Sequence, residues 1–344
     1  MNNQLTIDTF FKSNSDSKNY NIFRYFYINW TNNYSPNEQA HWLKERPVKL
    51  NFIQKVDCKY IKKGYYFYIC GYFTDYEDNT YSIIKEKKYK NNQYLKSHLQ
   101  KNIRKKDINK AIQSTYHLMR IDLNELLRRL AIIHLEDTYL HNSYTTLIWL
   151  MIANSTKNFK MKKYIYEWIM GFSHINCITK KYDNIKNITK KNNENLYEFL
   201  NRCSNLNKEE YSLIYSLLMR CAYGGKEHDI EMLKYYAFLW YDRFNKNTKS
   251  INRMRIKPIN IYVKDLELED WDLSAIDFHC CPNILDYVSK KYPEYDKKEI
   301  KKIIWINLSS INNRIENKIY NQEAWDKINT YINKSQKYLL ESNY

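Results

Sequence analysis

The sequence predicts a mainly α-helical chain with a small antiparallel β-sheet near its N-terminus, an α+β helical array. Three observations carry this. Aromatic, β-favouring runs separated by turns fill residues 46–90. From about residue 92 the apolar residues recur with a helical period, as at Leu95, Leu99 and Ile103. Glycine and proline number only five each in 344 residues, too few for a turn-rich sandwich or a glycine-rich phosphate loop.

Taken in order, residues 1–20 read as a flexible polar tail and 21–90 as a β-rich region. Residues 91–245 read as a helical domain and 246–344 as a C-terminal helical region. "NIFRYFYINWTNNY" (21–34) is either an edge strand or a wrapped segment. "PVKLNFIQKV", "KGYYFYICGYF" and "NTYSIIKEKKY" are three short runs of a β-meander, with Gly64, Gly71 and the polar "TDYEDN" as punctuation. Asp107 is placed to cap "INKAIQSTYHLM". Asp122 caps the next helix, with Glu125 at the capping-box position. "LIWLMIA" (147–153) reads as a buried helical segment, since no apolar run reaches the length of a membrane span. Gly224 and Gly225 end one helix and Asp229 starts another. Pro282 opens a further helix, Asp296 with Glu299 caps "IKKIIWINLSS", and the last helix runs near 322–341.

Lysine and arginine total 55 against 38 aspartate and glutamate, a net charge of +17. Such a balance implies a polyanionic partner, with DNA the first expectation, because lysine and arginine neutralise phosphates and release counterions. Two clusters supply candidate contacts: Lys101, Arg104, Lys105 and Lys106 in "KNIRKK", and Arg253, Arg255 and Lys257 in "NRMRIK". Other basic runs interleave with tyrosine, whose rings can stack on bases. The seven cysteines are odd in number and widely spaced, which implies a reducing intracellular compartment.

The tail carries "QLTIDTFF" at residues 4–11. Three-residue spacing is the pitch of a 3-10 turn, so Gln4, Ile7 and Phe10 align when the segment coils once, with Phe11 beside them. The product is one amide and a compact apolar plug, useful in another protein's groove. Gln4, Ile7, Phe10 and Phe11 match every position of the PCNA-interacting motif, or PIP box, which this octapeptide resembles. The resemblance implies that the plug enters a pocket of the sliding clamp and Gln4 a polar pocket beside it.

"LLRRLAIIHLEDTYLH" (126–141) places Arg128 and Arg129 before a buried run, with Glu136 and Asp137 about two turns later. Two readings stand: an internal ion-pair network, or an acid/base or metal cluster in which Asp137 and His141 share a helix face. With the preceding helices, residues 95–141 are similar to the helical collar of Werner-helicase-interacting and clamp-loader-type AAA+ proteins. The ATPase module has no counterpart, so the resemblance implies no nucleotide hydrolysis.

"DFHCCPN" gathers Asp277, His279, Cys280 and Cys281, yet lacks the paired spacing of a zinc site. Asp137, Asp277 and His279 are the candidates for any catalysis. No cofactor and no metal set is expected. The first functional expectation is a non-catalytic DNA replication or repair accessory that binds the sliding clamp and contacts nucleic acid, with no membrane partner. The alternatives are a clamp-recruited metal-dependent nuclease or other DNA-processing enzyme, and a packaged basic protein. The abundance of Lys, Asn, Ile and Tyr resembles the proteins of large DNA viruses with AT-rich genomes, implying a nuclear or viral replication site.

Overall fold

Tyrosine and phenylalanine alternate through "YFYINW" and "YFYICGYF", and alternation at period two is what places one set of rings inward and the other outward in a strand. The computed structural model describes residues 23–31, 35–59, 61, 63–74, 92–179, 196–261, 275, 281, 283–308 and 320–341. Within these, the strands are β1 (Tyr25–Trp30), β2 (Glu38–Leu43), β3 (Phe52–Asp57) and β4 (Tyr66–Phe73). The helices are α1 (Asn92–Lys105), α2 (Ile108–Ile121), α3 (Leu123–Asp137), α4 (Ser143–Ser155), α5 (Lys163–Ile178) and α6 (Leu196–Arg202). They continue with α7 (Lys208–Ala222), α8 (Glu227–Asn245), α9 (Ile284–Lys291), α10 (Lys297–Leu308) and α11 (Gln322–Glu341). The chain is therefore mainly helical with a small N-terminal sheet.

Two compact units interleave along the sequence, where consecutive segments were expected. The first takes its described residues from 23–74, 130–168 and 196–258; the second takes them from 92–129, 169–179 and 259–341.

In the first unit the strand order is β2-β1-β4-β3. β1 pairs antiparallel with β2 and β4 antiparallel with β3, while β1 and β4 run parallel from Tyr25↔Tyr68 to Trp30↔Phe73. This corrects two expectations. The sheet is mixed, not antiparallel, and β1 is an interior strand, not an edge. Period-two alternation tells which face a residue takes and is silent about its neighbours. β2 has no clear alternation, since its pattern runs exposed, half-buried, three buried and half-buried. Gly71 lies inside β4 instead of ending it: a Cβ there would meet the Phe73 ring at 2.5 Å and Ile28 at 3.0 Å. Gly64, at φ +77°, does make the turn before β4. "NTYSIIKEKKY" lies outside the described residues.

The inward face of the sheet holds Phe26, Ile28, Trp30, Trp42, Phe67, Ile69 and Phe73, all buried. Against it packs α4, buried from Ser143 to Ala153, so "LIWLMIA" is the core helix its composition predicts. Trp149 on α4 meets the rings of Phe52, Phe73 and Phe159 at 5.9, 5.7 and 5.2 Å. Its indole N–H is shared by the carbonyls of Phe26 on β1 (3.0 Å) and Cys70 on β4 (3.2 Å). Side chains also close the outer edge of β2. The Ala40 N–H donates to Thr146 Oγ1 on α4 (3.1 Å) and the Trp42 N–H to Ser212 Oγ on α7 (2.9 Å).

α7 starts with a complete capping box of Asn207 and Glu210. It ends before Gly224, at φ +75°, where buried Arg220 donates to the Gly224 carbonyl at 2.5 Å. α8 then starts at Glu227 behind Lys226, two residues earlier than Asp229.

In the second unit the expected caps form. Asp107 accepts from the Lys110 N–H (3.1 Å), and Asp122 accepts from the Glu125 N–H (3.0 Å). α1 and α2 are joined by His98 and Ser114 at 2.6 Å, and α2 and α5 by Thr115 and Ser173 at 2.9 Å. α11 occupies 322–341 as expected, burying Ala324, Ile328 and Ile332 at four-residue spacing. No described helix is long and apolar enough to cross a membrane.

The shared Trp149 donor sets a measurable expectation. Trp149→Phe keeps most of the ring but removes the second donor from two buried ladder carbonyls, and is expected to cost about 0.5–1.5 kcal/mol in urea unfolding. Trp149→Ala adds a cavity and is expected to cost about 3–5 kcal/mol. Equal stability of wild type and Trp149→Phe would show that the shared hydrogen bond contributes nothing.

Candidate functional site

Residues 251–257 follow a turn in which Asn247 takes φ +50° and Thr248 returns to Arg243. Ile251 and Ile256 are buried, whereas Arg253, Arg255 and Lys257 between and beside them are exposed. Residues 139–143 hold this segment in place. His141 and Asn252 form a parallel bridge, and the Asn142 N–H donates to the Asn252 carbonyl at 3.0 Å. The Met254 N–H donates to Asn142 Oδ1 at 2.9 Å, and Ser143 Oγ donates to the Met254 carbonyl at 3.1 Å. Arg253 reaches Glu209 at 2.9 Å, but the guanidinium side chain stays 78% exposed. An exposed pair of this kind contributes little, about 0–1 kcal/mol, and is readily exchanged for a phosphate.

The other expected basic cluster does not stay whole. Lys101 is 4% exposed, and its Nζ donates to the Leu308 carbonyl at 2.8 Å. It caps the C-terminus of α10, where orphan carbonyls and the negative end of the helix dipole favour a cation. Lys101 is therefore removed from the contact set. Arg104 is half-buried. Lys105 and Lys106 are exposed at the end of α1, with Lys106 in the left-handed region at φ +63°.

Asp137 ends α3, and His141 lies beyond it in the bridge to Asn252, so the two do not share a helix face. Arg128, Arg129, Glu136 and Asp137 are half-buried, and Arg129 donates to Gln100. Lys96 and Glu125, 2.8 Å apart, tie α1 to α3 nearby. Asp277 and His279 lie outside the described residues, as do Gln4, Ile7, Phe10 and Phe11. Among the described residues no group of three His, Cys, Asp or Glu is arranged to hold a metal ion. At "YGGKEHD", Glu227 and Asp229 occupy the first turn of α8, where they repel an anion.

Three buried thiols and a buried histidine in the interior are held neutral. Burial pushes the thiols of Cys70, Cys177 and Cys221 up to about 12, leaving them protonated and inert. His141 is fully buried with its ring 4.3 Å from that of His134. Burial holds His141 well below the ordinary histidine range, and His134 adds to the depression. Thr138 Oγ1 donates to the His134 carbonyl at 2.6 Å, so it accepts from His134 Nδ1–H at 3.0 Å and fixes that tautomer.

Sequence reasoning did not assign the outward face of the sheet. It carries half-buried tyrosines on β1 and β4, and the signal for it was present in the same alternation that set the core. Compared with known proteins, the chain matches no protein-family model, no curated protein and no solved structure.

His141 makes stability pH-dependent with a defined sign. Its folded pKa lies below its unfolded value near 6.5, so the unfolded chain binds more protons once pH drops under about 6.5. Its contribution is fully present above that pH and is lost below it, at up to about 1.4 kcal/mol per pH unit. Urea unfolding from pH 7.5 to 5 is expected to show a shallower decline for His141→Phe than for wild type. Identical slopes would remove His141 from the account.

Proposed function

We propose that this chain is a non-catalytic accessory protein of DNA replication or repair that binds nucleic acid and is tethered to the sliding clamp by its N-terminal octapeptide. The observation that carries the reading is the cluster of Arg253, Arg255 and Lys257. Three exposed cations lie within five residues of one another on a segment whose backbone is hydrogen-bonded to Asn142 and Ser143 at Met254. Cations held on a fixed backbone lose little conformational freedom when they meet a chain of phosphates. The net charge of +17 adds long-range attraction.

The clamp half of the reading rests on Gln4, Ile7, Phe10 and Phe11 and their match to the PIP box. Tethering raises the local concentration of DNA at the basic cluster, so modest intrinsic affinity suffices. Lys105 and Lys106 are further exposed cations of the described chain. The reading places the protein at a nuclear or viral replication site.

Two measurements separate the halves. Replacing Arg253, Arg255 and Lys257 together by glutamine is expected to weaken DNA binding and to reduce the slope of log affinity against log salt by about 2.7 on duplex. Clamp binding should be unaffected. Phe10→Ala with Phe11→Ala is expected to abolish capture by purified clamp and leave the DNA salt slope unchanged. DNA affinity indifferent to the basic cluster, or clamp affinity indifferent to the two phenylalanines, sinks the corresponding half.

A further inference from the structure

The outward face of the sheet is built from aromatic rings and cations. Alternation and register place Tyr25 and Tyr27 of β1 beside Tyr66, Tyr68 and Tyr72 of β4, with Lys55 of β3 opposite Tyr68. All five tyrosines are half-buried. The rings of Tyr25 and Tyr68 are stacked across the parallel strands, 5.4 Å apart and 15° from coplanar, and Tyr66 stands edge-on to Tyr68 at 5.9 Å. Two cations lie on these rings: the Arg24 guanidinium 5.0 Å and Lys55 Nζ 4.2 Å from the centroid of Tyr66. Arg24 also donates to the Tyr66 hydroxyl at 2.9 Å.

We propose that this sheet face is a stacking platform for the unpaired bases of single-stranded nucleic acid. It deepens the nucleic-acid reading above and rests on it. Three features select the occupant. Parallel, partly exposed rings on neighbouring interior strands offer flat apolar surface to another flat ring, and every base has one. Arg24 and Lys55 supply positive charge at the Tyr66 and Tyr68 end of the face; among the described residues the carboxylates nearby are Asp57, 3.7 Å from Lys55, and Glu38 near Tyr27, itself 3.5 Å from Lys208. A duplex keeps its base faces stacked inside and has nothing to lay on the platform. A proline-rich peptide also packs on tyrosine rows, but it brings no negative charge for the two cations.

The test uses the full chain and a fluorescein-labelled oligothymidine, with a labelled duplex of equal length as control, read by fluorescence polarisation. The wild-type protein is expected to bind the single strand more tightly than the duplex. Tyr68→Ala should weaken single-strand binding about tenfold, within the range for losing one base–ring stack. Tyr68→Phe should stay within about twofold, and duplex affinity should stay unchanged in both variants. A 5-iododeoxyuridine oligonucleotide cross-linked by light to unaltered protein should attach at Tyr25, Tyr27 or Tyr68, which tests the platform without any variant. Single-strand affinity insensitive to Tyr68→Ala, with cross-links elsewhere, overturns the platform. If binding still falls on neutralising Arg253, Arg255 and Lys257, the broader reading survives that result. Absence of any nucleic-acid binding by wild type overturns both, and binding of a polyproline peptide in place of the oligonucleotide overturns the platform.

Discussion

One donor organises the first unit. The parallel pairing of β1 and β4 brings together strands that are separated by two others in the sequence, and no short turn enforces it. The Trp149 indole supplies what the turns do not. A single N–H reaches a carbonyl on each strand, while the ring fills the space under Phe52, Phe73 and Phe159. Both functions need α4 to sit flat on the sheet, which explains why this helix is apolar all round and why a hydroxyl from it, Thr146, reaches the edge strand. Everything outward of the sheet, the tyrosine face included, inherits its registry from this contact.

Burial also decides which charges are available to a partner. Lys101 and Arg220 are spent on helix C-termini, each donating to a carbonyl that the helix itself cannot satisfy. Arg253, Arg255 and Lys257 face solvent on a segment outside any helix, with no helix end to serve. A count of basic residues therefore overstates the surface charge that can act, and the geometry of their backbone is the better guide.

Much of the helical part was legible in the sequence because its signals are local. Asp107 and Asp122 announce their helices by chemistry confined to four residues, and "LIWLMIA" announces burial by composition alone. The strand neighbours were not legible, because β1 and β4 meet through contacts distant in sequence. β2 was hidden because three consecutive buried residues break its alternation. For the site, "NRMRIK" was visible as charge, whereas Lys101 is indistinguishable by sequence from its neighbours in "KNIRKK" until α10 is placed beside it. The tyrosine face needed the parallel register to bring Tyr25 to Tyr68.

The capped edge of β2 has a consequence for self-association. An unpaired strand edge is a template on which further strands add, and a fibril must grow at two ends. Here the two outward amides, Ala40 and Trp42, already donate to Thr146 and Ser212. A strand arriving from that side would have to evict both hydroxyls and the helices that carry them. Growth from this side of the sheet is closed, so any pairing of copies through the opposite edge terminates at two.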